Sequence, residues 1–186
     1  MKIETSRILS DFFENKDSSA SEFEQWVYSN SELETEIGEH IYSELISLDF
    51  KDNSIRIQVK ELVDSIIDYA QLHRNEIMAI LDKLISQKSN PLDEIRKLFQ
   101  WAEKGYTFLA STDIIGNFGE QGKSVVHSIN NEMSNETQWN KLIEIDSNFI
   151  NELRSLKERI ENNQIVFTGE KEDIKFYGEQ FKYIEK

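Results

Sequence analysis

The chain has no cysteine among its 186 residues, which excludes disulfides, thiolate–zinc sites and a cysteine nucleophile. It has one proline and seven glycines, so few positions force the backbone to break. No run approaches the roughly 18 apolar residues of a membrane-spanning helix. The first residues, Met1-Lys-Ile-Glu-Thr-Ser-Arg7, lead into an amphipathic segment without the apolar core of an export signal, and a cytoplasmic location is expected. Asn135-Glu-Thr137 matches a glycosylation sequon, which has no meaning without export. Basic residues are also scarce: 21 Lys and Arg face 35 Asp and Glu, a net charge of −14. That field repels nucleic acid and anionic membranes and attracts basic partners, although it serves solubility equally well.

Catalytic patterns are missing too. The three histidines, His40, His73 and His127, lie far apart, without the spacing that puts two on one helical face around zinc. His40 has Glu36 and Glu44 four residues to either side, the setting of a local ion pair. Serines are plentiful, but none sits in a Gly-x-Ser-x-Gly elbow. Acids are so numerous that no pair stands out as acid and base. Gly116-Asn-Phe-Gly119-Glu-Gln-Gly122-Lys123-Ser124 looks like a phosphate-binding loop, yet its first glycine is one residue out of register and only Ile114-Ile115 precedes it. No catalytic residue, metal ligand or cofactor is assigned.

What is present is helical periodicity with a hydrophobic fraction of 38% and a charged fraction of 30%, a globular composition. A chain of this length buries about 70% of its unfolded surface, so one domain spanning 1–186 needs no staple. A first helix is expected over 3–14, with Ile8, Leu9, Phe12 and Phe13 inward. Ser19 with Glu22 and Ser31 with Glu34 are capping boxes opening a second and a third helix. Leu33, Ile37, Ile41, Leu45 and Leu48 then form one apolar stripe. Glu44 projects near that stripe and is expected to be partly buried. Ile55, Ile57 and Val59 fit a helix or a strand, and a break is expected near His73–Asn75. Asn90-Pro91 caps and starts another helix, which Gly105 closes. Residues 116–138 read as a loop, and Trp139 to Ile160 as one long helix. Ile165-Val-Phe-Thr and Ile174-Lys-Phe-Tyr are β-prone, with Phe181-Lys-Tyr-Ile a possible third strand. Trp26, Trp101 and Trp139 sit among packing positions, Trp26 being the alternative interface anchor. The expected fold is mainly α: a single-domain helical bundle over 1–163 with a small antiparallel hairpin or three-stranded sheet over 164–186.

Charge is uneven. Residues 1–50 hold twelve acids and three bases, a balance of −9. On a continuous third helix, Glu32, Glu36 and Glu39 fall within about 60° of one another, away from the stripe. Like charges at that spacing weaken a helix by a few tenths of a kcal/mol per pair. With neighbouring Glu22 and Glu24 they form the expected partner-binding patch, unless they are simply a solvated face.

Three stretches carry a likeness: Glu22-Phe-Glu-Gln-Trp-Val-Tyr28 with Gly38-Glu-His-Ile-Tyr-Ser-Glu-Leu-Ile-Ser-Leu-Asp-Phe50, then Lys104-Gly-Tyr-Thr-Phe-Leu109, then Ile165-Val-Phe-Thr-Gly-Glu-Lys171. Through these the chain resembles small acidic bacterial proteins of toxin-immunity loci. The resemblance implies a protein that blocks a toxin by binding it, and no catalytic residue. The acidic face adds the expectation of stoichiometric binding to the basic surface of the toxin, a nuclease being one such target. The expected function is therefore that of an acidic, non-enzymatic inhibitor of a basic protein. Two other readings stand beside it: an adaptor or structural subunit of a bacterial defence complex, or a nucleotide-dependent regulator using the Gly116–Ser124 loop.

Overall fold

A computed structural model describes residues 1–111, 115, 129, 132–175 and 178–186. The protein is mainly α-helical, with a C-terminal two-stranded antiparallel sheet. Its contacts divide it into two compact units, Met1–Asp68 and Tyr69–Lys186. Among the described residues, no helix is long and apolar enough to cross a membrane. The glycine loop at 116–124, with Lys123, and His127 lie outside the described residues.

The first unit contains α1 (Ile3–Glu14), α2 (Ala20–Ser29), α3 (Leu33–Ile37), α4 (Glu39–Ile46) and α5 (Ile55–Val63), followed by a 3₁₀ turn at Asp64–Ile66. Helix α1 has the bounds its pattern predicts, burying Leu9 and Phe12 while Ile8 and Phe13 are half-buried. Ser19 caps α2, its hydroxyl accepting from the Glu22 amide at 3.3 Å. The Phe12 and Phe23 rings stack 3.9 Å apart, and Phe50 lies 6.1 Å from Phe23, making an aromatic centre for this core. Arg56 reaches from α5 to the end of α1. Its guanidinium donates to the carbonyls of Phe12, Asn15, Lys16 and Ser18 and lies 4.7 Å over the Phe12 ring. It thereby satisfies carbonyls that a helix end leaves without partners, at the negative end of the dipole.

Two expectations change here. The third helix does not run from Ser31 to Leu48: Gly38, at φ +88° and ψ 148°, separates α3 from α4. That conformation strains any residue with a Cβ, so glycine permits a break the apolar spacing cannot reveal. Ser31 is not the cap either; the Asn30 side chain accepts from the Glu32 amide at 3.2 Å, and Leu33 starts the helix. Residues 55–60 are helix, with Ile55, Val59 and Val63 buried on one face and Ile57 61% exposed.

The second unit contains α6 (Tyr69–Ser86), α7 (Pro91–Glu103), a 3₁₀ turn (Thr107–Ser111), α8 (Asn135–Ile145), α9 (Phe149–Glu161), β1 (Ile165–Ile174) and β2 (Gly178–Glu185). No break falls at His73–Asn75, which lie inside α6; the helical run is interrupted before it, at Ile67, whose backbone is extended. Asn90 accepts from the Asp93 amide at 3.1 Å, and Pro91 occupies the first turn of α7. Gly105 ends it at φ +116°, where a Cβ would press into the Phe181 backbone, 2.8 Å from its nitrogen. This close approach lets the Phe181 amide donate to the Lys104 carbonyl at 2.8 Å, joining α7 to the hairpin. The expected long helix divides at Asp146, whose extended backbone ends α8, and Ser134 caps α8 within the stretch read as loop. The sheet has two strands, not three, because Phe181–Ile184 is part of β2 opposite β1.

Candidate functional site

The charge lies mainly in the first unit. Residues 1–68 carry sixteen acids and six bases, a balance of −10, against −4 for residues 69–186. From Asp17 to Phe50 there are nine carboxylates and no lysine or arginine, so α2, α3 and α4 are built without a single cationic side chain other than a protonatable His40. At least three of the unit's six bases are tied to fixed partners. Lys2 bonds to Glu32 and lies 3.3 Å from Glu36, Arg7 is 3.1 Å from Glu4, and Arg56 is spent on backbone carbonyls. Of the acids on α2 to α4, Glu22, Glu34, Glu39 and Glu44 are exposed, and among the described residues Glu22, Glu34 and Glu39 have no cation partner.

The five expected docking residues do not form one ridge. Glu22 is exposed in the first turn of α2, and Glu24 is half-buried one residue past Phe23. Glu32 is exposed just before α3 and pairs with Lys2. Glu36 is the residue the structure most clearly removes from a free patch. Its side chain is only 10% exposed, and it accepts from the Lys2 backbone amide at 2.9 Å. Lys2 is the N-cap of α1, which has no side-chain cap of its own. A hydrogen bond from the Thr5 side chain, with further help from Lys2, holds the Glu36 carboxyl below the usual carboxylate range. Glu36 thus does from α3 what the glutamate of a capping box does from within its own helix. Glu39 is exposed, but on α4, beyond the Gly38 break.

His40 and Glu44 pair on α4, Nε2 to Oε1 at 3.3 Å; Glu36 is not part of that pair. The Glu44 side chain is 52% exposed, so the expected partial burial does not occur: with α4 restarted at Glu39, Leu45 rather than its neighbour faces the core. Glu34 on α3, exposed and without a cation partner among the described residues, belongs to the same field, although its spacing from Ser31 pointed to capping and not to docking. Sequence reading also missed Tyr28, a large aromatic 56% exposed on α2. Its place after the packing residue Val27 was the available signal. Trp26 is half-buried beside Phe23, ring centroids 5.6 Å apart, so Tyr28 is the more exposed aromatic of that helix.

Two features of the second unit have a chemical character of their own. His73 is 2% exposed among the rings of Trp101, Phe181 and Tyr69, at 4.5, 4.3 and 5.3 Å. Its Nδ1 is 2.9 Å from the Tyr106 hydroxyl. Burial, reinforced by Lys104 and Lys171, pushes its pKa down to about 3 and keeps the ring neutral. Burial likewise keeps the Tyr106 hydroxyl protonated. This pair is an interior polar contact, satisfied within an aromatic core. A cleft of about 480 Å³ runs along α9, lined by Ser111, Asn148, Asn151, Glu152, Ser155 and Arg159 among others. Among the described residues, no group of three His, Asp or Glu side chains is arranged to hold a metal ion. Neither a protein-family model, nor a curated protein, nor a solved structure matches this chain.

Proposed function

We propose that this chain is an acidic protein-binding inhibitor, an immunity-type protein that neutralises a basic toxin by covering its cationic surface. The observation that carries the reading is the base-free stretch from Asp17 to Phe50, whose nine carboxylates include seven on and between α2, α3 and α4. A nuclease binds phosphates through Lys and Arg, so a surface of fixed carboxylates competes for the same contacts. Opposite charge also accelerates association toward about 10⁸–10⁹ M⁻¹s⁻¹ at low salt, an advantage for an inhibitor that must act before damage accumulates. The docking acids are Glu22, Glu24 and Glu39, joined by Glu32 at the edge; Glu36 serves the fold.

The test begins with capture of the partner from cells of the organism that encodes the chain, followed by reconstitution from purified components. The expected partner is basic, and its activity falls to zero at one equivalent of this protein. Replacing Glu22, Glu24 and Glu39 together by glutamine lowers the association rate and flattens its salt dependence, leaving dissociation nearly unchanged. An acidic or neutral partner, or an association rate indifferent to salt and to the three substitutions, refutes the proposal.

A further inference from the structure

We infer that Tyr28 is the seat for an arginine side chain of the basic partner, its ring and the neighbouring helix ends forming a cation-accepting spot within the acidic surface. The inference rests on the inhibitor reading and names the contact through which it acts.

The side chain is held in place without being buried. Its hydroxyl donates to the Ile46 carbonyl at 3.1 Å, and its ring meets Phe50 nearly edge-on, 6.3 Å between centroids and 66° between planes. Phe50 is itself 6% exposed, so the ring rests against the core. Tethered at its tip and braced along its side, Tyr28 still leaves 56% of its surface in solvent. A partner would then meet a pre-positioned ring and lose little side-chain entropy in fixing it, which is why tyrosine recurs at the energetic centres of interfaces.

The surroundings select for positive charge from three independent directions. Tyr28 lies in the last turn of α2, and the carbonyl it binds belongs to the last residue of α4. Two helix C-termini therefore meet at this side chain, and each carries the negative end of a helix dipole. Neither helix has a basic residue in its last turn to offset it. Glu24, one turn earlier on the same face of α2, adds a carboxylate with no cation partner among the described residues. The face of the aromatic ring itself attracts cations through its quadrupole. Arginine fits this set better than lysine, because its flat guanidinium stacks on a ring while its N–H groups remain free for a carboxylate or a carbonyl. Ile57, also exposed in this unit at 61%, offers neither a ring nor a tether.

The probe is an acetylated hexa-arginine peptide, titrated into the full chain at physiological salt and followed through the tyrosine ring signals by NMR. Hexa-lysine and hexa-citrulline serve as comparisons, the latter keeping arginine's shape without its charge. The largest saturable shift is expected on the Tyr28 ring, with arginine bound more tightly than lysine and citrulline not at all. Tyr28→Leu weakens arginine-peptide binding about two- to five-fold, the range of an exposed cation–π contact, while Tyr28→Phe, which keeps the ring, retains most of it. Circular dichroism checks that both variants fold; should Tyr28→Leu fail to, the shift pattern and peptide ranking in the unmodified chain decide alone. Equal binding of arginine and lysine, with shifts spread over the acids and Tyr28→Leu unaffected, overturns the inference and leaves the acidic-surface reading standing. If neither cationic peptide binds, both fall.

Discussion

Acid should weaken the second unit through one side chain, His73. In the unfolded chain this imidazole titrates near 6.5, whereas in the folded protein burial holds it down to about 3. Because the folded value is depressed, the stabilisation is fully present above pH 6.5, erodes as pH falls, and is gone once pH passes below about 3. Each unit in that window is worth about 1.36 kcal/mol, so roughly 2.7 kcal/mol is lost by pH 4.5. Carboxylates titrate over part of the same range, and the way to isolate His73 is a variant that cannot protonate. His73→Phe suits the aromatic surroundings but leaves the Tyr106 hydroxyl, on a residue with 0% exposure, without its 2.9 Å partner. At pH 7 that orphaned group costs about 1–3 kcal/mol. At pH 4.5 the wild type has lost roughly 2.7 kcal/mol of its histidine contribution and the variant none, so the gap closes or reverses. Urea unfolding at the two pH values, followed by tryptophan fluorescence, measures the crossing; the Trp101 ring is 4.5 Å from the imidazole and reports on it directly. A gap that stays constant between pH 7 and 4.5 would refute the reasoning. So would a folded-state His73 ring whose NMR titration centres near 6.5.

Two further outcomes follow from side chains that act on helix ends. Arg56→Lys replaces a fork that serves four carbonyls with a single ammonium, and a loss of about 2 kcal/mol is expected, with faster hydrogen exchange around α1 and residues 15–18. A variant as stable as wild type would mean those carbonyls are served by water. Glu36→Ala should destabilise the first unit by about 1 kcal/mol, while Glu24→Gln stays within about 0.5 kcal/mol, although both remove one acid. The Glu36 contribution belongs to the ionised form of a carboxyl whose pKa is lowered. It is present above the ordinary carboxylate pKa and disappears as pH falls through the lowered value. Parallel melting curves for the two variants at pH 7, or a difference that survives at pH 2, would contradict this account.

Reading along the chain was enough wherever structure is decided within one or two helical turns. Helix α1, the serine cap of α2, the Asn90-Pro91 start of α7 and the presence of a hairpin in the β-prone tail, though not its strand bounds, follow from local capping, backbone restriction and periodicity. The concentration of acid before residue 50 is likewise a property of the sequence, since charge needs no fold to be counted. Tertiary structure decided the rest. Leu33, Ile37 and Leu45 keep their apolar spacing across a glycine that turns the chain, so periodicity alone reads two helices as one. Ile55, Ile57 and Val59 alternate like a strand, and only burial of the first and third beside an exposed second reveals the helix. Glu36 and its neighbours are identical in a sequence-based view of charge. Its separation from them depends on Lys2 and Thr5, more than thirty residues away, and a contact of that range exists only once the chain has folded.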